Sequence, residues 1–179
     1  MAAELEADAG ADTALPLIEQ LRGFQPAEAD VILAGLRLRQ SRMDEATDAL
    51  VAACVRLRDD PWPHLRFKQE TLSLGAALGR GNPARARRVF DALRLPYAVH
   101  SIDETRLIAL AELTREFDFP GHCAEAVGAF EPHPPWTADF LTLRRDCYQV
   151  SRDPRLVDAV RDVNTFASQQ PLPLAPPVQ

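Results

Sequence analysis

Lysine is almost absent from this chain. Among 20 basic residues only Lys68 is a lysine, and the other 19 are arginines. A phosphate loop of the form G-x-x-x-x-G-K-[ST] is therefore excluded around the stretch "GRGNPARARRVF" (residues 79–90), where no lysine follows the glycines and no strand pattern precedes them. No apolar run approaches the roughly 18 residues that a membrane-spanning helix needs. The N-terminus is acidic and alanine-rich, without the basic start and apolar stretch of a secretory signal, so a cytoplasmic protein is expected. Cysteine is scarce too. Cys54, Cys123 and Cys147 are odd in number and widely spaced, with no C-x-x-C pair, which predicts neither a disulfide framework nor a zinc site. Net charge is −6, and Glu4, Glu6, Asp8 and Asp12 carry four of those charges. The rest of the chain is close to neutral, which argues against a dedicated nucleic-acid binder.

What the chain does contain is a repeat. "SRMDEATDAL" begins at Ser41, "GNPARARRVF" at Gly81 and "GHCAEAVGAF" at Gly121, forty residues apart each time. In each block a small residue opens a turn, an alanine follows (Ala46, Ala86, Ala126), and then a large apolar residue (Leu50, Phe90, Phe130). The alanine and the large residue are four apart and so share one helix face, the small one allowing a neighbouring helix to come close. Each block is preceded by an amphipathic segment: "DVILAGLRLRQ", "ETLSLGAALG" and "TRLIALAELTREF", with Gly35 and Gly75 again forty apart. The spacing predicts an all-α protein built from antiparallel helix pairs. Proline–aromatic joints, "DDPWPH", "LPYAVH" and "EPHPPW", separate the pairs, and Trp62, Tyr97 and Trp136 are expected to cover the ends of the helix stack. A fourth, degenerate pair follows Trp136, its Asp153-Pro154 echoing Asn82-Pro83 as a cap followed by proline. "TALPLIEQL" reads as a short helix covering the first pair. Residues 1–12 and the proline-rich residues 170–179 are expected to be disordered, leaving one domain over residues 13–169.

Few residues suggest chemistry. On a helical wheel Arg85, Arg87, Arg88 and Arg94 fall opposite Ala86, Val89, Phe90 and Leu93, as a solvated outer face would. Nucleic-acid binding, the least expected reading, would run through Arg80, Arg85, Arg87 and Arg88. His122, Cys123 and His133, with Cys147 or His100, could ligate a metal, but at no known spacing. Cys123 next to His122 could form a nucleophile pair, although adjacent helical residues point apart. No catalytic residue, metal or cofactor is assigned.

The register resembles the tetratricopeptide repeat over roughly residues 27–133. Leu110, Leu113, Phe117, Gly121, Ala126 and Phe130 of the third copy fit that family's signature. The period near forty exceeds the family's usual length of about 34 residues and approaches that of HEAT-type repeats. The resemblance implies a right-handed solenoid of about four helix pairs whose concave face, lined by first helices, binds a protein or peptide partner. The family register puts Ile32, Leu36 and Gln40 of the first copy on that face. It adds Gln69, Leu72, Ala76 and Arg80 of the second copy, and Ile108, Ala111, Arg115 and Asp118 of the third. The Lys/Asn set with which some tetratricopeptide domains clamp a C-terminal carboxylate is missing. The proline–aromatic succession over residues 46–165 also resembles the C-terminal helical extension of bacterial spermidine-synthase-like proteins. That likeness implies an accessory domain of such a polyamine enzyme system. The methyltransferase-like catalytic domain has no counterpart in this chain, so no active-site residue carries over. The expectation is a non-enzymatic scaffold of bacterial type, with no nucleic-acid or membrane partner.

Overall fold

The computed structural model describes residues 2–117 and 121–169. Within them the structure is helical, with no strand: α1 (Ala2–Asp8), α2 (Ala14–Arg22), α3 (Pro26–Arg39), α4 (Met43–Asp59), α5 (Leu65–Gly79), α6 (Pro83–Leu93), α7 (Asp103–Phe117), α8 (His122–Gly128), α9 (Ala138–Val150) and α10 (Leu156–Gln169). A single 3-10 turn, His100–Ile102, leads into α7. Residues 170–179, expected to be disordered, and Asp118 lie outside the described residues.

Helices pair in chain order: α3 with α4, α5 with α6, α7 with α8 and α9 with α10. The first helices α3, α5, α7 and α9 touch in succession, and α4, α6 and α8 each touch the first helix of the next pair. Each repeated block opens on a turn and leads into a helix, α4, α6 or α8. Ser41, Gly81 and Gly121 all have positive φ (58°, 68° and 80°), a conformation that glycine adopts without strain. Ala46, Ala86 and Ala126 are buried, as are Leu50 and Phe90. Asn82 accepts the Arg85 N–H at 3.0 Å, with Pro83 in the first turn, so the expected cap starts α6. The third copy departs from the pattern. Its second helix ends at Gly128, so Phe130 lies in the following turn, half-buried against Phe140 with ring centroids 4.7 Å apart.

Three expectations need correction. Residues 2–8 are helical rather than disordered, for a reason that concerns the site below. Cys123 and Cys147 are joined in a disulfide that ties α8 to α9, because the stacking of the third and fourth pairs brings residues 24 apart in sequence to a Cα separation of 5.0 Å. Of the three joint aromatics only Tyr97 is buried; Trp62 and Trp136 are exposed.

The joints are instead closed by buried cations. Lys68 of α5 donates to the carbonyls of Pro61 and Pro63 at 2.9 and 2.6 Å. Arg106 of α7 donates to those of Leu93 and Arg94, and Arg144 of α9 to Glu131 and Asp162. All three are at most 5% exposed, so each needs these partners. They are 38 residues apart, and 38 residues before Lys68 stands Asp30, also buried, held by Arg22 and by Arg56 at 2.8 Å.

Candidate functional site

Along the first helices, a strip of the surface, lie two separate cavities, one between α3 and α5 and one between α7 and α9. The first, of about 230 Å³, is lined by Val31, Ile32 and Gly35 of α3, by Arg66, Phe67 and Glu70 of α5, and by Glu4, Ala7 and Asp8 of α1. The second, of about 440 Å³, lies between Ile108, Glu112 and Arg115 of α7 and the start of α9, including Thr137, Asp139, Phe140 and Leu143.

Helix α1 is seated on the first of these. Ala3 and Ala7, one turn apart, are buried against the stack, and α1 contacts both α2 and α3. Its acidic side chains meet arginines of the first helices. Arg66 grips Glu4 with two parallel hydrogen bonds of 2.6 and 2.9 Å, while its guanidinium lies 4.4 Å from the Phe67 ring centroid. Arg39 stands 3.4 Å from Asp8. Arg37 lies 4.0 Å from Asp12, which also accepts from Gln40 at 2.9 Å. The Arg66 hydrogen bonds hold the Glu4 carboxyl below its ordinary range, against a smaller opposing effect of burial. Gly10 closes α1 with positive φ (72°), its N–H on the Ala7 carbonyl and the Ala11 N–H on that of Glu6. This is a Schellman motif, and "ELEADAG", a helix-compatible run ending in Gly10, is the sequence signal for it.

The described residues expected on the partner-binding face divide into four groups. Leu36, Leu72 and Ala111 are buried in the core. The structure corrects them from surface to packing positions, because each first helix is flanked by its own second helix and by adjacent first helices, which narrows the free strip. Ile32 and Gln40 face the N-terminal segment, Ile32 lining the first cavity and Gln40 donating to the Gly10 carbonyl at 3.1 Å. Gln69 and Arg80 are exposed and Ala76 is half-buried on α5. Ile108 and Arg115 line the second cavity, with Arg115 3.6 Å from Asp146. Sequence reading missed Arg37, Arg39, Arg66, Phe67 and Glu112.

The other candidates are not brought together. The Cys123–Cys147 disulfide removes both thiolates as ligands or nucleophiles. The His122 ring packs on Phe90, centroids 4.7 Å apart, with Nδ1 3.3 Å from Glu125, while His133 is exposed at the joint. Among the described residues no three His, Cys, Asp or Glu side chains are grouped to hold a metal. Cys54 is sealed in the core with Tyr97, whose hydroxyl is 3.4 Å from its sulfur and 2.7 Å from the Thr71 hydroxyl. Burial pushes the Cys54 thiol up to about 11, so it is un-ionised at neutral pH. On α6, Arg85 donates to the Leu78 carbonyl, Arg87 pairs with Asp91 at 3.1 Å and Arg88 with Asp48. No helix among the described residues is long and apolar enough to cross a membrane. No protein-family model matches the chain, and comparisons with curated proteins and with solved structures return no match.

Proposed function

We propose that this chain is a protein-interaction module: a tetratricopeptide-like, right-handed stack of four helix pairs that receives a segment of a partner along the strip formed by its first helices. The observation that carries this reading is the seating of α1. A short peptide segment already lies at that strip, packed on α2 and α3, with Ala7 lining the first cavity and Glu4 in a two-point grip by Arg66. A mode that works for the chain's own segment works for another of the same chemistry. The second cavity, lined by Ile108, Glu112 and Arg115 and by the start of α9, offers apolar contact beside both signs of charge further along the first helices.

A peptide-display selection against the immobilised full chain tests this. Selected sequences are expected to bind at least ten-fold more weakly to Arg115→Glu, on the strip, and unchanged to Arg88→Glu, on the α6 outer face. The opposite pattern, or a selection that yields no specific binder, overturns the proposal.

A further inference from the structure

Building on that interaction function, we infer that α1 is a tethered plug of the binding strip, and that the partner segment which displaces it is an acidic amphipathic helix with a larger apolar residue where α1 has Ala7. Three observations converge on this.

The first is charge. Glu4, Asp8 and Asp12 of the N-terminal segment each face an arginine of the first helices, namely Arg66, Arg39 and Arg37. The surface under α1 therefore selects two acidic side chains one helical turn apart, as Glu4 and Asp8 are, with a third just past the end of the helix. Glu70, which also lines the cavity, is the carboxylate there that opposes them.

The second is fit. The apolar residues that α1 buries are only alanines, and a cavity of about 230 Å³ stays open beside Ala7, lined also by Ile32, Phe67 and Gly35. A Cβ built on Gly35 would meet nothing within 4 Å. A leucine or methionine in place of Ala7 has room to enter, so α1 is a poorer occupant than the site allows.

The third is weak attachment. α1 has seven residues, too few to hold a helix without docking. Each of its ion pairs has at least one partner open to solvent, so salt weakens them, and the Arg39–Asp8 pair, exposed on both sides, contributes little. A tether keeps the local concentration of α1 high without making the contact itself strong. A free segment that fills the cavity can then compete, and α1 melts when it leaves.

The test uses the full chain and a fluorescein-labelled synthetic peptide of residues 2–14 carrying A7L, followed by anisotropy. The E4R/D8R chain, whose α1 is repelled by Arg66 and Arg39, is expected to bind the peptide at least ten-fold more tightly than the unmodified chain. A ten-fold gain corresponds to α1 being docked about nine-tenths of the time. Adding R66Q to E4R/D8R is expected to reverse the gain. Equal affinity of the unmodified and E4R/D8R chains, or no loss on adding R66Q, overturns the inference. A readout independent of these substitutions is hydrogen exchange in the unmodified chain. Saturating unlabelled peptide is expected to speed exchange across Leu5–Ala9, and unchanged protection at saturation overturns the plug. If display-selected ligands still depend on Arg115 while these experiments fail, the interaction function stands and the α1 inference alone falls.

Discussion

Gly35 and Gly75 stand forty residues apart in the sequence, yet replacing each with alanine should have opposite effects on stability. In an ordinary helix interior, glycine to alanine stabilises by about 0.5–1 kcal/mol, because glycine loses more backbone entropy on folding. At Gly35 nothing opposes this gain, since an added Cβ finds open space in the lining of the first cavity. Gly35→Ala should therefore raise stability by the full ~0.5–1 kcal/mol, or about 1–4 °C in melting temperature for a chain of this size. At Gly75 the same Cβ would lie 3.0 Å from Val89 Cγ1 and 3.2 Å from Leu93 Cδ1. Both neighbours are completely buried, and valine is stiff at χ1, so neither can move aside easily. Overpacking of that kind costs about 1–3 kcal/mol. It outweighs the entropic gain and leaves Gly75→Ala less stable than the unmodified chain by about 1 kcal/mol. Urea denaturation followed by far-UV circular dichroism measures both. If Gly75→Ala stabilised the chain as much as Gly35→Ala, the close seam between α5 and α6 would be refuted.

Further outcomes follow from the same packing. Phe90→Ala removes a buried ring from the repeated register and should cost about 3–5 kcal/mol, whereas Arg88→Ala, on the exposed face, should change stability by less than about 0.5 kcal/mol; equal effects in urea would overturn that assignment of faces. Reducing Cys123–Cys147 opens a loop of 24 residues and should lower stability by about 3 kcal/mol. A melting temperature unaffected by dithiothreitol would show that the bond adds nothing. Acid should destabilise the fold through Glu4, Asp103 and Asp153. The Arg66 hydrogen bonds depress Glu4 and the Arg155 side chain depresses Asp153, while at Asp103 burial is outweighed by hydrogen bonds from His100 and Arg106. Folded-state values below the unfolded ones mean that the contribution is present above the ordinary carboxylate range, near pH 4, and fades as the pH falls through the depressed values. Asp103→Asn should flatten the loss of stability between pH 5 and pH 3 in urea titrations, about the range where these groups protonate. An unchanged slope would refute its role.

The helix pairs were legible because their evidence is local and periodic. A small residue that turns the chain at Ser41, Gly81 and Gly121, followed by an alanine and a large apolar residue at fixed steps, needs no distant partner to be recognised. Asn82-Pro83 is equally local, since the cap it forms lies within one helical turn. The signal for α1 was also present, in the helix-compatible run before Gly10, but its stability depends on Arg66, 62 residues away from Glu4. Similarly, the 38-residue spacing of Lys68, Arg106 and Arg144 could be counted in the sequence, yet their burial could not. What the sequence alone determined, then, is an all-α chain and the placing of the helices and turns around the three repeated blocks, but not α1 or the early end of α8. Which faces meet was decided only by the tertiary structure. It placed Leu36, Leu72 and Ala111 in the core, bonded Cys123 to Cys147, and put a second helix against Gly75 but a cavity over Gly35. The physical reason is that helix propensity, capping and amphipathic period act within a few residues, whereas side-chain packing and ion pairing depend on distances in space that sequence separation does not encode.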